Sequence, residues 1–121
     1  MDELEPARAA SIRVRDGLGE SQRPITLIHV YGEHDFGSRA ILASALVPLE
    51  GHVVIDLTPC TYLDSAVIGA ILGKALALGK AGYRLELVVP DSGSVSHIVK
   101  RLGIHALIPL LDEPPTIHPS P

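Results

Sequence analysis

Hydrophobic and polar residues follow two periods along this chain, one typical of strands and one typical of helices. Apolar or alternating runs predict β-strands over residues 11–15, 24–31, 53–57, 84–89 and 106–111. Apolar residues spaced three and four apart predict helices over residues 38–49, 66–79 and 92–102. Strands that alternate with helices are typical of a largely parallel sheet with right-handed crossovers. We therefore predict an α/β fold: a mixed, largely parallel sheet of four to five strands with helices packed on it.

The segments without periodicity set the expected domain boundaries. Residues 1–10 are polar and predict a flexible N-terminus, whereas residues 113–121 are rich in proline and predict a tail. A single domain over residues 11–112 lies between them. A glycine-containing turn at residues 16–22 predicts a hairpin, which makes the first strand an antiparallel edge strand.

Composition narrows the classes of partner. The chain has 121 residues, 46% of them hydrophobic, which is enough for one core. A net charge of −4 disfavours nucleic acid and anionic membranes as partners. Cys60 is the single cysteine, and no apolar run is long enough to span a membrane. We expect a cytoplasmic protein that neither binds nucleic acid nor inserts into membranes.

The sequence gives little support for catalysis. The six histidines are scattered, so no metal-ligand set is formed, and a metal site is not expected. Nucleotide-binding glycine motifs and the G-x-S-x-G motif of serine hydrolases are absent. Cys60 is a weak redox candidate, because no cationic residue stands beside it. We expect no enzymatic activity and no cofactor.

The strongest local signal is the passage from the central strand into the second helix. Asp64 and Ser65 stand directly before an apolar helix, where unpaired backbone N–H groups can receive an anion. Asp35 follows the second strand, and in a parallel sheet the two loops can lie at the same end. Two interpretations remain open at this point. Either Asp64 or Ser65 simply caps the helix, or Ser65 presents a functional hydroxyl.

Two motifs resemble those of a known family. G-E-H-D at residues 32–35 is similar to the G-E-x-D of STAS domains, the family of bacterial anti-sigma factor antagonists. V-V-I-D-L-T-P-C-T-Y-L-D-S at residues 53–65 is similar to the family's apolar strand, D-L, and x-D-S helix entry. The resemblance extends over the predicted domain. It implies the STAS fold, with Ser65 as the phosphoacceptor serine and with Asp35 and Asp64 as flanking acidic residues.

The resemblance also implies a function. The unphosphorylated domain would bind an anti-sigma factor that is also a serine protein kinase, and phosphorylation of Ser65 would end the complex. A serine phosphatase is a further candidate partner. The chain departs from the family's D-S-[S/T]-G-L-G at Ala66 and Val67, which we expect to alter the partner-binding surface beside Asp35, Asp64 and Ser65.

Two other functions are compatible with the same fold. The domain could be a non-phosphorylated STAS scaffold or an accessory subunit of a stress-signalling or lipid-transport complex. It could also sense a small ligand or nucleotide at the same end of the sheet.

Overall fold

A computed structural model describes residues 9–120 of the chain, so that residues 1–8 of the expected flexible N-terminus lie outside it. Within the described part there are six strands and three α-helices. In chain order they are β1 (Ser11–Leu18), β2 (Pro24–His34), α1 (Arg39–Leu46), β3 (His52–Asp56), β4 (Cys60–Leu63), α2 (Ser65–Lys80), β5 (Leu85–Val88), α3 (Ser94–Arg101) and β6 (Leu110–Leu111). Short 3₁₀ turns, Phe36–Ser38 and Ile104–Ala106, precede α1 and β6.

The sheet is mixed and largely parallel, which confirms the predicted α/β fold class. Its strand order is β1-β2-β3-β5-β6, with β1 antiparallel to β2 and the other pairs parallel. The sequence prediction missed β4, which pairs with the far end of β2. β4 is four residues long and its two middle residues are exposed, so the sequence has no period-two pattern that would predict a strand there.

Gly32 marks the point at which β2 changes partners. Before it, β2 pairs with β3; from Gly32 onward it pairs with β4, with an irregularity between Gly32 and Glu33. The φ angle of Gly32 is 79°, a region that favours glycine, and its N–H donates to the carbonyl oxygen of Pro59 at 3.2 Å. The sequence predicted that β2 would end before this glycine. Instead the strand continues to His34.

The core is divided between the two faces of the sheet. The larger apolar cluster joins one face to all three helices. A smaller cluster of Leu27, Val54 and Val88 lies on the other face, against Ile117. The proline-rich segment 113–120, predicted as a tail, is therefore packed on the sheet although it contains no helix or strand.

The helices of the described part are short. The longest, α2, has 16 residues, and none is both long and apolar enough to cross a membrane.

Candidate functional site

The pairing of β2 with β4 brings Asp35 and Asp64 to the same edge of the sheet. His34 lies opposite Leu63 at the end of this pair, so that Asp35 and Asp64 are the next residues along the two parallel strands. The backbone N–H of Asp64 donates to the carbonyl oxygen of His34 at 2.9 Å, which extends the pairing by one further bond. Both aspartates thus lie at the carboxyl edge of the sheet, the edge where ligands and partners of α/β sheets usually bind.

Asp64, not Ser65, caps α2. The Asp64 Oδ1 atom accepts a hydrogen bond from the backbone N–H of Ala66 at 2.8 Å, and α2 begins at Ser65. Ser65 is exposed, and its hydroxyl makes no hydrogen bond to any residue of the described chain. The structure therefore bears out the capping interpretation through Asp64, and the functional role of the Ser65 hydroxyl stays a prediction. The carboxylate satisfies the helix end, and the hydroxyl remains available.

Asp35 caps the 3₁₀ turn Phe36–Ser38, which precedes α1 at this edge. Its Oδ1 atom accepts from the backbone N–H of Ser38 at 2.9 Å, and its own backbone N–H donates to the Ser38 Oγ atom at 3.0 Å. This capping box fixes the turn that leads into α1. The hydrogen bonds from Ser38 lower the pKa of the exposed Asp35 carboxyl below its usual range. Asp35 therefore carries a negative charge at neutral pH.

Of the two residues that depart from the family pattern, only Ala66 is at the surface. Val67 is 0% exposed and belongs to the larger apolar cluster. The side chain of Val67, which the sequence placed in the partner-binding surface, therefore points into the core and not toward a partner. The remaining surface consists of Asp35, Asp64, Ser65 and Ala66.

A buried polar pair sets the position of β4 and hence of Ser65. Asp56 ends β3, and its Oδ1 atom accepts from the backbone N–H of Thr58 at 3.0 Å and from the Thr58 hydroxyl at 2.6 Å. Its Oδ2 atom accepts from the Nδ1–H of His29 on β2 at 2.8 Å. These bonds satisfy both oxygens of a side chain that is only 5% exposed. They hold the turn at which the chain leaves β3 for β4.

Two exposed aromatic residues adjoin the site, and the sequence analysis did not select them. Phe36 follows Asp35 directly and is 59% exposed, with the Arg39 guanidinium 3.9 Å from the centre of its ring. Tyr62 on β4 is 44% exposed and lies opposite Glu33. Exposed aromatic and arginine side chains are enriched where proteins bind one another. The available signal was their position, Phe36 directly after the first motif and Tyr62 within the second, in a chain with one phenylalanine and three tyrosines.

Cys60 and the histidines are the other residues of the sequence that could carry chemistry. Cys60 is 4% exposed, and its thiol donates to the carbonyl oxygen of Tyr62 at 3.2 Å. Burial raises the pKa of the Cys60 thiol, so the reactive thiolate is disfavoured. Over residues 9–120, no group of three or more potential ligand side chains is placed to hold a metal ion.

Comparisons with known proteins bear on the fold of the chain. The chain is similar over its fold to an anti-sigma factor antagonist from Mycobacterium paratuberculosis, at 20% identity and a TM-score of 0.69, with 85% of this chain and 87% of the other covered. It is also similar to the anti-sigma factor antagonist SpoIIAA in its unphosphorylated form, at 16% identity and a TM-score of 0.61, covering 86% and 90%. A third similar structure is the protein TM1081, at 11% identity and a TM-score of 0.66, covering 93% and 89%.

At these identities the structural likenesses show a shared fold. No curated protein matches the sequence. The family model described as "STAS domain" matches residues 18–119, which is most of the chain. The chain therefore belongs to the STAS domain family.

Proposed function

We propose that this STAS domain is an anti-sigma factor antagonist that binds an anti-sigma factor with serine kinase activity and is switched off by phosphorylation of Ser65. The observation that carries the proposal is the exposed hydroxyl of Ser65 at the first residue of α2, where Asp64 already provides the cap. A kinase can modify such a hydroxyl without breaking a hydrogen bond of the described fold. In this cycle the domain is a substrate and the partner supplies the catalytic groups.

The charge distribution supports a switch that leaves the fold intact. A phosphate on Ser65 adds about −1.5 to −2 charges, and the positive end of the α2 dipole favours negative charge at this position. The same phosphate would stand beside Asp64 and near Asp35, which is negatively charged at neutral pH. At a docked surface these charges would repel one another and lose their hydration. Phosphorylation therefore disfavours the complex much more than it disfavours the free domain.

The surface around Ser65 has the composition of a docking site. Phe36 and Tyr62 offer exposed rings, and Ala66 allows close approach of a partner's backbone. The aspartates give the edge a negative charge that would select a partner with a basic surface. A serine phosphatase would complete the cycle by restoring the neutral hydroxyl.

The proposal is tested by capturing partners from a host lysate with three baits: the wild-type chain, Ser65→Asp and Ser21→Asp. Ser21 is also exposed but lies in the turn between β1 and β2, so its variant carries the same charge change at the other end of β2. We expect a kinase-like protein, identified by mass spectrometry, to be retained by the wild type and by Ser21→Asp but lost by Ser65→Asp. If all three baits retain one non-kinase partner, the scaffold alternative is favoured instead.

A second measurement tests the acceptor residue directly. The captured kinase, incubated with ATP, should phosphorylate the wild-type chain and Ser21→Ala to the same extent, and Ser65→Ala should not be phosphorylated. Equal phosphate incorporation into Ser65→Ala would show that the acceptor is another residue.

A further inference from the structure

The helix layer contains a groove that is open to solvent. Helices α1 and α2 pack against each other, and both contribute to the larger apolar cluster. Between them lies a cavity of about 380 Å³, which we call the α1–α2 groove. Lys74 ties its two walls together, because its Nζ atom donates to the carbonyl oxygen of Val47 at 3.2 Å. The α1–α2 groove is lined by Ala43, Leu46 and Val47 on the α1 side and by Ala70, Gly73 and Ala77 of α2.

Large apolar side chains on these two helices are left in water. Val47, which ends α1, is 77% exposed, and Leu76 of α2 is 69% exposed. Within residues 9–120 these are the two most exposed of the large apolar side chains. Apolar side chains grouped around a concave surface are typical of a site that another protein covers.

Glycines on the outer side of α2 have no explanation within the domain. A methyl group at Gly69, Gly73 or Gly79 would meet no atom within 4 Å, and none of the three has a positive φ angle. Glycine destabilises a helix interior relative to alanine, so each of them weakens α2. At Gly73 the missing side chain widens the groove, which allows the ridge of a further helix to approach the backbone of α2 closely.

The charge of these two helices is opposite to that of the chain as a whole. The chain has a net charge of −4, yet none of its acidic residues lies in α1 or α2. The charged side chains of the two helices are Arg39, Lys74 and Lys80. Asp64 stands before α2, nine residues from Gly73, which is roughly 13 Å along a helix. The groove therefore favours a partner segment with negative charge.

We propose that the α1–α2 groove docks an amphipathic helix of a partner protein, with an apolar face that is flanked by aspartate or glutamate. The groove lies between helices, whose backbone groups are already paired, so binding depends on the packing of side chains and not on an added strand. Its concave shape suits the ridge of a helix, whereas a lipid surface would require apolar side chains along a convex face. Its positive charge also separates it from the acidic edge around Ser65, so docking here is independent of phosphorylation.

The proposal is tested by photo-cross-linking with the full-length chain in the host cell. Val47 is replaced by p-benzoylphenylalanine, and the cross-linked segment is identified by mass spectrometry. The control places the same photoreactive residue at Leu107, which is 67% exposed and does not line the groove. We expect position 47 alone to cross-link to one protein, within a segment that has apolar residues three and four apart and flanking acidic residues.

Two glycine variants distinguish docking from a structural role of Gly73. In the cross-linking chain, Gly73→Ala should lower the yield about tenfold, because the added methyl group overpacks the interface. Gly79→Ala, at a position outside the groove, should leave the yield unchanged. Both variants should raise the melting temperature by a few degrees, since alanine favours a helix. An unchanged yield in a folded Gly73→Ala chain overturns the proposal.

Charge variants test the chemistry of the partner segment. Lys80→Glu should lower the yield about fivefold, whereas Lys100→Glu on α3 and Ser65→Asp should not change it. Loss of the cross-link in Ser65→Asp would assign the groove to the Ser65 interface and overturn an independent site. A yield at position 47 no higher than at position 107, or a cross-linked segment that is basic or lacks helical periodicity, overturns the proposed partner. A cross-link to a second copy of this chain or to lipid does so as well.

Discussion

Two helical segments begin at the carboxyl edge of the sheet, and an aspartate caps each of them. They are the 3₁₀ turn Phe36–Ser38, which leads into α1, and α2. At the first, the Ser38 hydroxyl is bound within the capping box of Asp35, with both the carboxylate and a backbone N–H of that residue. At the second, Asp64 caps α2 alone, and the Ser65 hydroxyl has no partner in the described chain. The same two residue types therefore serve structure at one helix and leave a modifiable group at the other.

This difference bears on the proposed role of Ser65, because it shows how a helix end could carry a phosphoacceptor without loss of its cap. If the acceptor hydroxyl were also the cap, a phosphate on it would compete with the bond that starts the helix. Assigning the cap to the preceding carboxylate removes that conflict. The comparison predicts that changes at the first serine alter folding, and that changes at the second alter binding.

The largest loss of unfolding free energy is expected for a change at Val67, on the buried side of the first turn of α2. Replacement of Val67 by the glycine of the family pattern removes a fully buried side chain and adds backbone entropy to the unfolded chain, so it should cost about 3 kcal/mol of unfolding free energy. Ala66→Gly, at the exposed neighbour, should cost about 1 kcal/mol or less. Urea unfolding followed by circular dichroism measures both. Equal costs would contradict the burial of Val67.

The next effect tests which residue caps α2. Asp64→Ala removes the acceptor for the Ala66 N–H and should lower the unfolding free energy by about 1 kcal/mol. Asp64→Asn, which keeps an acceptor oxygen, should restore all but a few tenths of this loss. Urea unfolding followed by circular dichroism measures the unfolding free energy of both variants. A stable Asp64→Ala variant would mean that another group caps the helix.

The two serines should then differ in a paired measurement. Ser38→Ala breaks the capping box and should cost about 0.5–1 kcal/mol, whereas Ser65→Ala should stay within about 0.5 kcal/mol of the wild type. Thermal unfolding of the two variants in one buffer gives the comparison. The interpretation fails if Ser65→Ala is the more destabilised of the two.

The smallest effect is expected on the pH dependence of stability, through the pKa of Asp35. The pKa of Asp35 is lowered in the folded chain, so its contribution to stability is present above the unfolded pKa of about 4 and is lost as the pH falls through the folded value. In Ser38→Ala the pKa of Asp35 should rise toward its ordinary value, because the main hydrogen bond that lowers it is gone. An NMR titration of the Asp35 carboxyl carbon measures the shift. An unchanged pKa in this variant would remove Ser38 as its cause.

Much of the fold could be predicted, because the strands and helices that build the main core have strong periodicity. The apolar run of β3 and the stripe of α2 depend only on local sequence and on the need to bury one face. β4 was missed because its pattern is set by its neighbour β2, which supplies the hydrogen bonds. The course of the proline-rich segment was missed for a similar reason, since one isoleucine and two backbone bonds hold it.

The candidate site likewise combines features that the sequence predicts with features that depend on tertiary packing. The G-E-H-D and Y-L-D-S motifs marked Asp35, Asp64 and Ser65 from the sequence, since these residues stand where strands end and helices begin. The sequence could not distinguish the inward Val67 from the outward Ala66, because the rotation of a helix relative to the sheet depends on packing. It also could not identify His29 as the partner of Asp56, 27 positions away in the chain.

By itself, the sequence determined an α/β domain with its strand-to-helix transitions and the acidic residues beside Ser65. Local propensity and periodicity are sufficient for these features. Only the tertiary structure decided that Asp64 is the cap, that the Ser65 hydroxyl has no hydrogen-bond partner within residues 9–120, and that the C-terminal segment packs on the second face. Each of these features depends on which side chain lies close to a given backbone atom or apolar surface. Long-range strand pairing and packing determine that proximity.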